Sequence, residues 1–395
     1  MTKFKRKSFK ESLPDSMVNI EDKTRSNLFT WRGQFSPQLI EQLLLSYASK
    51  DDVVFDPFLG SGTVLFESAL LGLEASGCEI NPAAISFSKV YELINKPKEE
   101  VMTAISKIEA HVSKYTNDLP LFTDLRIECF EQEILREYKK NNNQVEKTVL
   151  FALITGMDFE TKKTDVKRLN NVWGTLRANI EKLPSSNKKL TAFHSDSRAA
   201  PIESDSVDFV VTSPPYINVF NYHQNYRKSV EKTGIDVLSV AKSEIGANRK
   251  FRQNRFLTVV QYCMDMSQVF VELQRICKNK SKIIFIVGRE SNVRRTAFKN
   301  AELIIDVAKV NGFDLIGQQP RKFGNKFGEL IYEEVLRFSN VRKASKDAIE
   351  ESRNIGMSAL VYALKTCGEE VKVEIQEAIE KAKNIDASPI LDIQG

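Results

Sequence analysis

The segment Asp56-Pro57-Phe58-Leu59-Gly60-Ser61-Gly62-Thr63 constrains the fold of this chain more than any other. It follows the apolar run Val53 to Phe55, which reads as a buried strand, and precedes an apolar segment, Val64 to Leu71, that reads as a helix. Two glycines at this junction let the backbone turn tightly and approach a ligand closely. The new helix then offers its unpaired first N–H groups to a carboxylate or phosphate. A second strand ends at Cys78-Glu79, with Glu79 placed 23 residues after Asp56 (79 − 56). That is the usual position for an acid bridging ribose hydroxyls, and Asp56 is suited to accept from a ligand ammonium. Pro57, Phe58, Ser61, Thr63 and Asn81 complete the turn and its neighbour strand as candidate cofactor contacts. Position 65 is Leu, so the third glycine of a dinucleotide fingerprint is missing.

A strand–turn–helix–strand opening of this kind predicts a doubly wound α/β sheet. Its second half returns after residue 190, with strands expected over Asp208–Thr212, Lys282–Val287, Phe313–Gln318 and Ile331–Phe338. Helices are expected over Phe35–Tyr47 (Ser36 as cap, Pro37 in the first turn), Thr258–Lys278 and Thr296–Asn311. Residues 97–189 interrupt the rhythm as a polar helical insertion, and residues 341–395 read as a charged helical tail with no visible chemistry. Residues 1–30 read as a loosely held basic arm, leaving 31–96 and 190–340 as the α/β core.

The second informative string, Thr212-Ser213-Pro214-Pro215-Tyr216, follows the apolar run Phe209 to Val211. Two prolines stiffen the turn and remove N–H donors, leaving carbonyl oxygens to accept. The Ser213 oxygen and the Pro214 carbonyl can together take both hydrogens of an amino group and aim its lone pair. Tyr216 offers a face for a flat ring, a stacking worth about 1–3 kcal/mol per base. His194-Ser195-Asp196 precedes this strand, and Asp196 is placed to accept from an adenine amine.

The five cysteines are scattered, without C-x-x-C spacing, and there are three histidines. No metal site is expected, and a reducing cytosol is the natural setting. No apolar stretch approaches 18 residues and the N-terminus lacks an apolar core, so neither export nor membrane insertion is expected. A net charge of +5 permits a polyanionic partner without requiring one. The densest basic segment, Arg249-Lys250-Phe251-Arg252-Gln253-Asn254-Arg255-Phe256, and Asn221 to Lys228 lie after this Pro-Pro turn. There Arg249, Lys250, Arg252, Arg255, Asn225 and Arg227 are candidate contacts to phosphates and base edges. Lys162, Lys163, Lys167 and Arg168 form a lesser basic group, and His223 is either a further contact or a loop residue without a role.

In these two strings the chain resembles the amino-directed DNA methyltransferases, which use S-adenosylmethionine to methylate cytosine N4 or adenine N6. The resemblance covers about 31–95 and 190–340. It implies a Rossmann-like class I methyltransferase sheet and makes Asp56 to Thr63 the cofactor motif, with Glu79 the ribose-binding acid and Asp196 the adenine contact. Thr212 to Tyr216 becomes the catalytic motif, and Trp31 to Pro37, Phe35 and Ser36 included, the segment closing over the methionine moiety. A Ser at the first catalytic position is usual for cytosine N4 enzymes, so Ser213 points to that amine in duplex DNA. A partner restriction endonuclease is the implied context, and the insertion has room for target recognition. Adenine N6, a guanine-N2 RNA enzyme and a non-catalytic DNA-binding protein remain the alternatives. RNA enzymes of that kind usually carry an RNA-binding domain ahead of the cofactor motif, where only about 30 polar residues stand.

Overall fold

The computed structural model describes residues 4–31, 33–116, 123–217, 222–247, 251–324, 328–340 and 343–392, side chains of 123–128 excepted. The chain begins with α1 (Asp15–Val18), α2 (Pro37–Tyr47), β1 (Val53–Asp56), α3 (Thr63–Leu71), β2 (Glu74–Glu79) and α4 (Pro82–Ser88). A 3-10 turn at Lys89–Asn95 leads into α5 (Lys98–Thr116), α6 (Thr123–Lys140), α7 (Gln144–Met157) and α8 (Val166–Glu181). The α/β alternation resumes with β3 (Leu190–His194), β4 (Val207–Thr212), α9 (Arg227–Lys232), α10 (Val237–Val240) and α11 (Leu257–Ile276). Then come β5 (Cys277–Gly288), β6 (Ser291–Val293), β7 (Thr296–Phe298), α12 (Asn300–Val310), β8 (Phe313–Gly324), β9 (Leu330–Asn340), α13 (Ala348–Ala363) and α14 (Glu369–Lys381).

Seven strands form one sheet in the order β3-β2-β1-β4-β5-β9-β8. The first five run parallel, and β9 enters antiparallel between β5 and β8. This is the mixed α/β architecture of class I S-adenosylmethionine-dependent methyltransferases. Strand order reverses between β1 and β4, the switch point at which open sheets of this type bind ligands. The two informative strings, some 150 residues apart in sequence, end these two adjacent strands.

The central strands β1, β4 and the second half of β5 are largely apolar because both faces are covered, and their alternate residues serve opposite cores. Val54, Phe209, Val211, Ile284 and Ile286 join the core beneath α2 to α5, α7 and α8. Phe55, Val210, Ile283, Phe285 and Val287 join the core beneath α11 to α14. The insertion is thus part of the first core, with α7 almost wholly buried, and the tail is part of the second.

Several sequence expectations need correction. The N-terminal arm is packed, not loose. Lys5 and Lys7 donate backbone N–H groups to Leu45 and Ser46, and Leu13, Val18, Ile20 and Phe29 are buried. Ser36 stands at the N-cap of α2 but its hydroxyl makes no capping bond. The helix expected from Thr296 is preceded by a hairpin, because Ser291 to Phe298 alternates buried and exposed residues at strand period. Cys277 and Lys278, expected to end the helix, instead begin β5.

Candidate functional site: a carboxylate-lined cavity at the switch point

At the carboxyl ends of β1, β2 and β4 the chain encloses a cavity with about 870 Å³ of empty space, part of it open to solvent. Its floor is the turn Pro57–Ser61, which the expected glycines shape. Gly60 and Gly62 have φ of +54° and +92°, and a Cβ on Gly62 would meet the Tyr91 ring at 2.7 Å. A larger residue is therefore excluded at position 62 by both conformation and space. Gly77 matters equally: a Cβ there would lie 2.6 Å from the Asp56 carbonyl oxygen.

Glu79 stands in the wall. Its two oxygens accept from the Gly60 N–H (2.8 Å) and the Asn81 N–H (2.7 Å), and Asn81 in turn caps α4 through Ala83 and Ala84. Burial pushes the Glu79 carboxyl up to about 7, against these two amides. Asp56 is placed differently from expectation. It lies buried beneath the turn and is not among the residues lining the cavity. Its Oδ1 accepts from the Phe58 N–H (3.0 Å) and from the Thr212 hydroxyl (2.6 Å), clamping the ends of β1 and β4 together. Burial raises this carboxyl to about 7 as well. Thr212 therefore reaches the site through Asp56, not through the cavity wall.

The N-terminal segment closes over the turn. Trp31 lies over Gly60, its Cδ1 at 3.5 Å from where a Cβ would stand, and stacks near-parallel on Tyr222 and Tyr226. Gln34 donates to the Ser61 hydroxyl, Thr63 donates to Asn27, and Phe35 lines the cavity while Ser36 does not.

Asp196 lies in the opposite wall with both oxygens engaged. Oδ1 accepts from the Arg198 N–H and Nε, and Oδ2 from the Arg198 guanidinium (2.6 Å) and the Leu391 N–H (3.0 Å). Arg198 is fully buried and also donates to the carbonyls of Ser243, Ser388 and Pro389, while Asp265 holds the Ser388 N–H and hydroxyl. The tail, unremarkable in sequence, thus braces the wall that carries Asp196.

Glu244 was not foreseen. It lines the cavity, its Oε2 lies 2.8 Å from Nδ1 of the buried His223, and its Oε1 is buried without a partner among the described residues. His223 is therefore a buried partner of Glu244, not a loop residue without a role. Glu244 sits 28 residues past Tyr216 (244 − 216) in a stretch with no motif spacing, so only the fold reveals it.

Ser213 and Pro215 line the cavity beside the cofactor turn, with Pro214 buried behind them. Tyr216 packs its ring on Gly288 at the end of β5, where a Cβ would meet it at 3.2 Å. Its hydroxyl donates to Glu333 (3.0 Å) and is bonded to the Ser213 side chain. Burial, reinforced by the Glu333 carboxylate, holds the Tyr216 phenol well above its usual range. Of the candidate DNA contacts, Arg252 and Arg255 are exposed, flanking Asn254, whose side chain ties the loop to the Glu374 carbonyl. Asn225 is partly exposed, and Arg227 is paired with Glu231 on its own helix (2.6 Å). Arg249 and Lys250 lie outside the described residues. Arg168 is spent on the carbonyls of Gly156 and Met157.

The cavity suits S-adenosylmethionine on its own chemistry. Glu79, Glu244 and Asp196 line it, burial raises the Glu79 carboxyl, and no described lining residue is Lys or Arg. A sulfonium and an ammonium supply the missing positive charge. The fold is thus that of class I S-adenosylmethionine-dependent methyltransferases, and the cavity's chemistry fits that cofactor.

Residues 2–90 match the model of the N6/N4 methyltransferase family, described as DNA methylase. The chain is distantly related to type II methyltransferases. It is 21% identical to M.MjaII of Methanocaldococcus jannaschii, over 70% of this chain and 74% of that protein. It is 23% identical to M.AvaI of Nostoc sp., over 57% of this chain and 58% of that protein. For M.BsoBI of Geobacillus stearothermophilus the figures are 22%, 74% and 66%. The chain thus spans less than two thirds of the length of M.AvaI. A solved methyltransferase from Methanosarcina mazei is 11% identical, covering 75% of this chain and 95% of that one, with a TM-score of 0.33.

Proposed function

We propose that this protein is the DNA methyltransferase of a type II restriction–modification system, acting on the N4 amine of cytosine in duplex DNA. The observation carrying this reading is the juxtaposition at the switch point: Ser213 and Pro215 stand in the wall of the cofactor cavity, one strand from the turn Pro57–Ser61. Bound there, S-adenosylmethionine supplies an electrophilic methyl group. Glu79 and Asn81 hold the ribose end, Gln34 and Phe35 close over the amino-acid end, and Asp196 and Glu244 complete the wall.

The Ser213 oxygen and the Pro214 carbonyl accept the two amine hydrogens and aim the nitrogen lone pair. Tyr216, fixed by Gly288 and Glu333, supports the extruded base. The main work is positioning, since an exocyclic amine needs no covalent nucleophile to activate it. Extrusion costs a few kcal/mol, offset by stacking and hydrogen bonds in the pocket. Arg252 and Arg255 neutralise phosphates, and the helical insertion carries target recognition.

The Ser at position 213 favours cytosine N4, and adenine N6 is the second reading, favoured by the same turn if the Ser accepts from an adenine amine. Incubation with methyl-labelled S-adenosylmethionine tests the reading. Label in duplex DNA and none in RNA is expected; label in RNA alone overturns it.

A further inference from the structure

Strand register exposes an arm beside Tyr216. The β5–β9 ladder ends at Gly288 opposite Glu333, with one further bond from the Arg289 N–H to the Tyr332 carbonyl (3.1 Å), yet β9 continues back to Leu330 and stays paired with β8 out to Gly324. Because β9 runs antiparallel to β5, these extra residues overhang the carboxyl edge, the edge that carries the cavity. Leu330 and Ile331 lie beyond that last bond, an overhang of about 7 Å. The arm leaves the sheet at Glu333, the residue that receives the Tyr216 hydroxyl.

Its two faces are unlike. The inner face is tethered: Arg321 pairs with Glu333, donates to the Val18 carbonyl and stacks on Phe323, and the Lys322 N–H is held by Asn19. The outer face presents Lys322 directly opposite Tyr332, and Leu330 opposite Gly324. Leu330 is 54% exposed and Tyr332 45%, with the Arg289 guanidinium 5.2 Å from the Tyr332 ring centre. A pair of exposed apolar side chains on a braced two-stranded ribbon is not needed by the fold, since both cores are filled without it. A ribbon of this width enters the major groove, and apolar side chains can press against base edges and steps there.

We propose that the outer face of this arm, Lys322, Leu330 and Tyr332, seats in a groove of the duplex next to the target base. The inference rests on the DNA methyltransferase reading and adds the surface that grips the DNA beside the extruded base. Lys322 meets a phosphate, while Leu330 and Tyr332 contact sugars and base edges.

The test uses the full chain and an end-labelled mixed-sequence duplex, titrated over a range of salt. In Leu330→Ala/Tyr332→Ala the duplex affinity falls about tenfold with the salt slope unchanged, because the lost contacts are apolar. In Lys322→Ala the slope falls by about one phosphate. All three positions are exposed, so the melting temperature and the S-adenosylmethionine affinity stay at the wild-type values and report intact folding. Wild-type duplex affinity and turnover in both variants would overturn the arm's role while leaving the enzyme reading standing. Loss of self-association in place of duplex affinity would assign the face to a second copy and overturn it too. A wild-type protein that transfers no methyl group to duplex DNA would instead sink the enzyme reading itself.

Discussion

On the β1–β2 side of the carboxyl edge the side chains are fixed in place before any ligand arrives, whereas on the β5–β9 side they are presented outward. The cofactor half is walled by Glu79, held by two backbone amides, and by Asp196, held by Arg198 and the tail. On the target half Tyr216 is anchored, while Arg252, Arg255, Leu330 and Tyr332 are exposed. A small invariant ligand rewards preorganisation, because rigid groups lose little entropy on binding. A duplex must be gripped along its length and distorted, which calls for projecting contacts. The cavity itself reflects this division, since Ser213 lies at the seam between the halves.

The difference can be attacked from either side. The largest effect is expected where the cofactor wall is braced. Arg198→Leu leaves Asp196 and Asp265 buried without their cation, a loss of about 3–5 kcal/mol, to be read from denaturant unfolding. A loss below about 1 kcal/mol would mean that the wall is not held this way. Next comes the seam. Ser213→Ala should cut turnover by about 10²–10³, the cost of removing one aimed hydrogen-bonding group from a reaction centre. The S-adenosylmethionine affinity, by equilibrium dialysis, should stay within about threefold; a comparable fall in both would join the two halves into one.

Proton linkage gives the third prediction. The Glu79 carboxyl is raised by burial to about 7, so its ionised form is disfavoured in the ligand-free fold. Its contribution to stability is present below the ordinary carboxylate range and is lost as pH rises toward 7. A cationic ligand reverses the preference. Binding of S-adenosylmethionine should therefore tighten as pH rises toward about 7, by at most about tenfold per unit and with proton release, and level off above it. Calorimetry in two buffers checks this, and Glu79→Gln should remove most of the rise. The smallest effect belongs to the target half: Arg252→Ala and Arg255→Ala should each lower the salt slope of duplex binding by about one, with no change in cofactor affinity.

The legible parts of the sequence were those where backbone geometry dictates residue type. Gly62 announces a turn no other residue can make, and the two prolines after Ser213 announce a stiff one. The alternation of β1 and β4 with helices fixed the sheet. What stayed hidden depends on contacts between distant segments. Asp56 reads as a ligand contact but is drawn beneath the turn by Thr212, 156 residues away (212 − 56). Glu244 and His223 find each other through loop packing, and Ser388 to Leu391 reach Asp196 across the second core. The hairpin at Ser291–Phe298 escaped because three-residue strands leave too short a period to separate from the helix that follows.

The central claim is transfer to an exocyclic amine of duplex DNA, directed by Ser213. The most direct measurement is to methylate mixed-sequence duplex DNA with labelled S-adenosylmethionine, digest it to nucleosides and identify the labelled one. N4-methylcytosine is the predicted product. N6-methyladenine would contradict the Ser213 assignment, and no labelled nucleoside, under conditions where the cofactor binds, would contradict the enzyme.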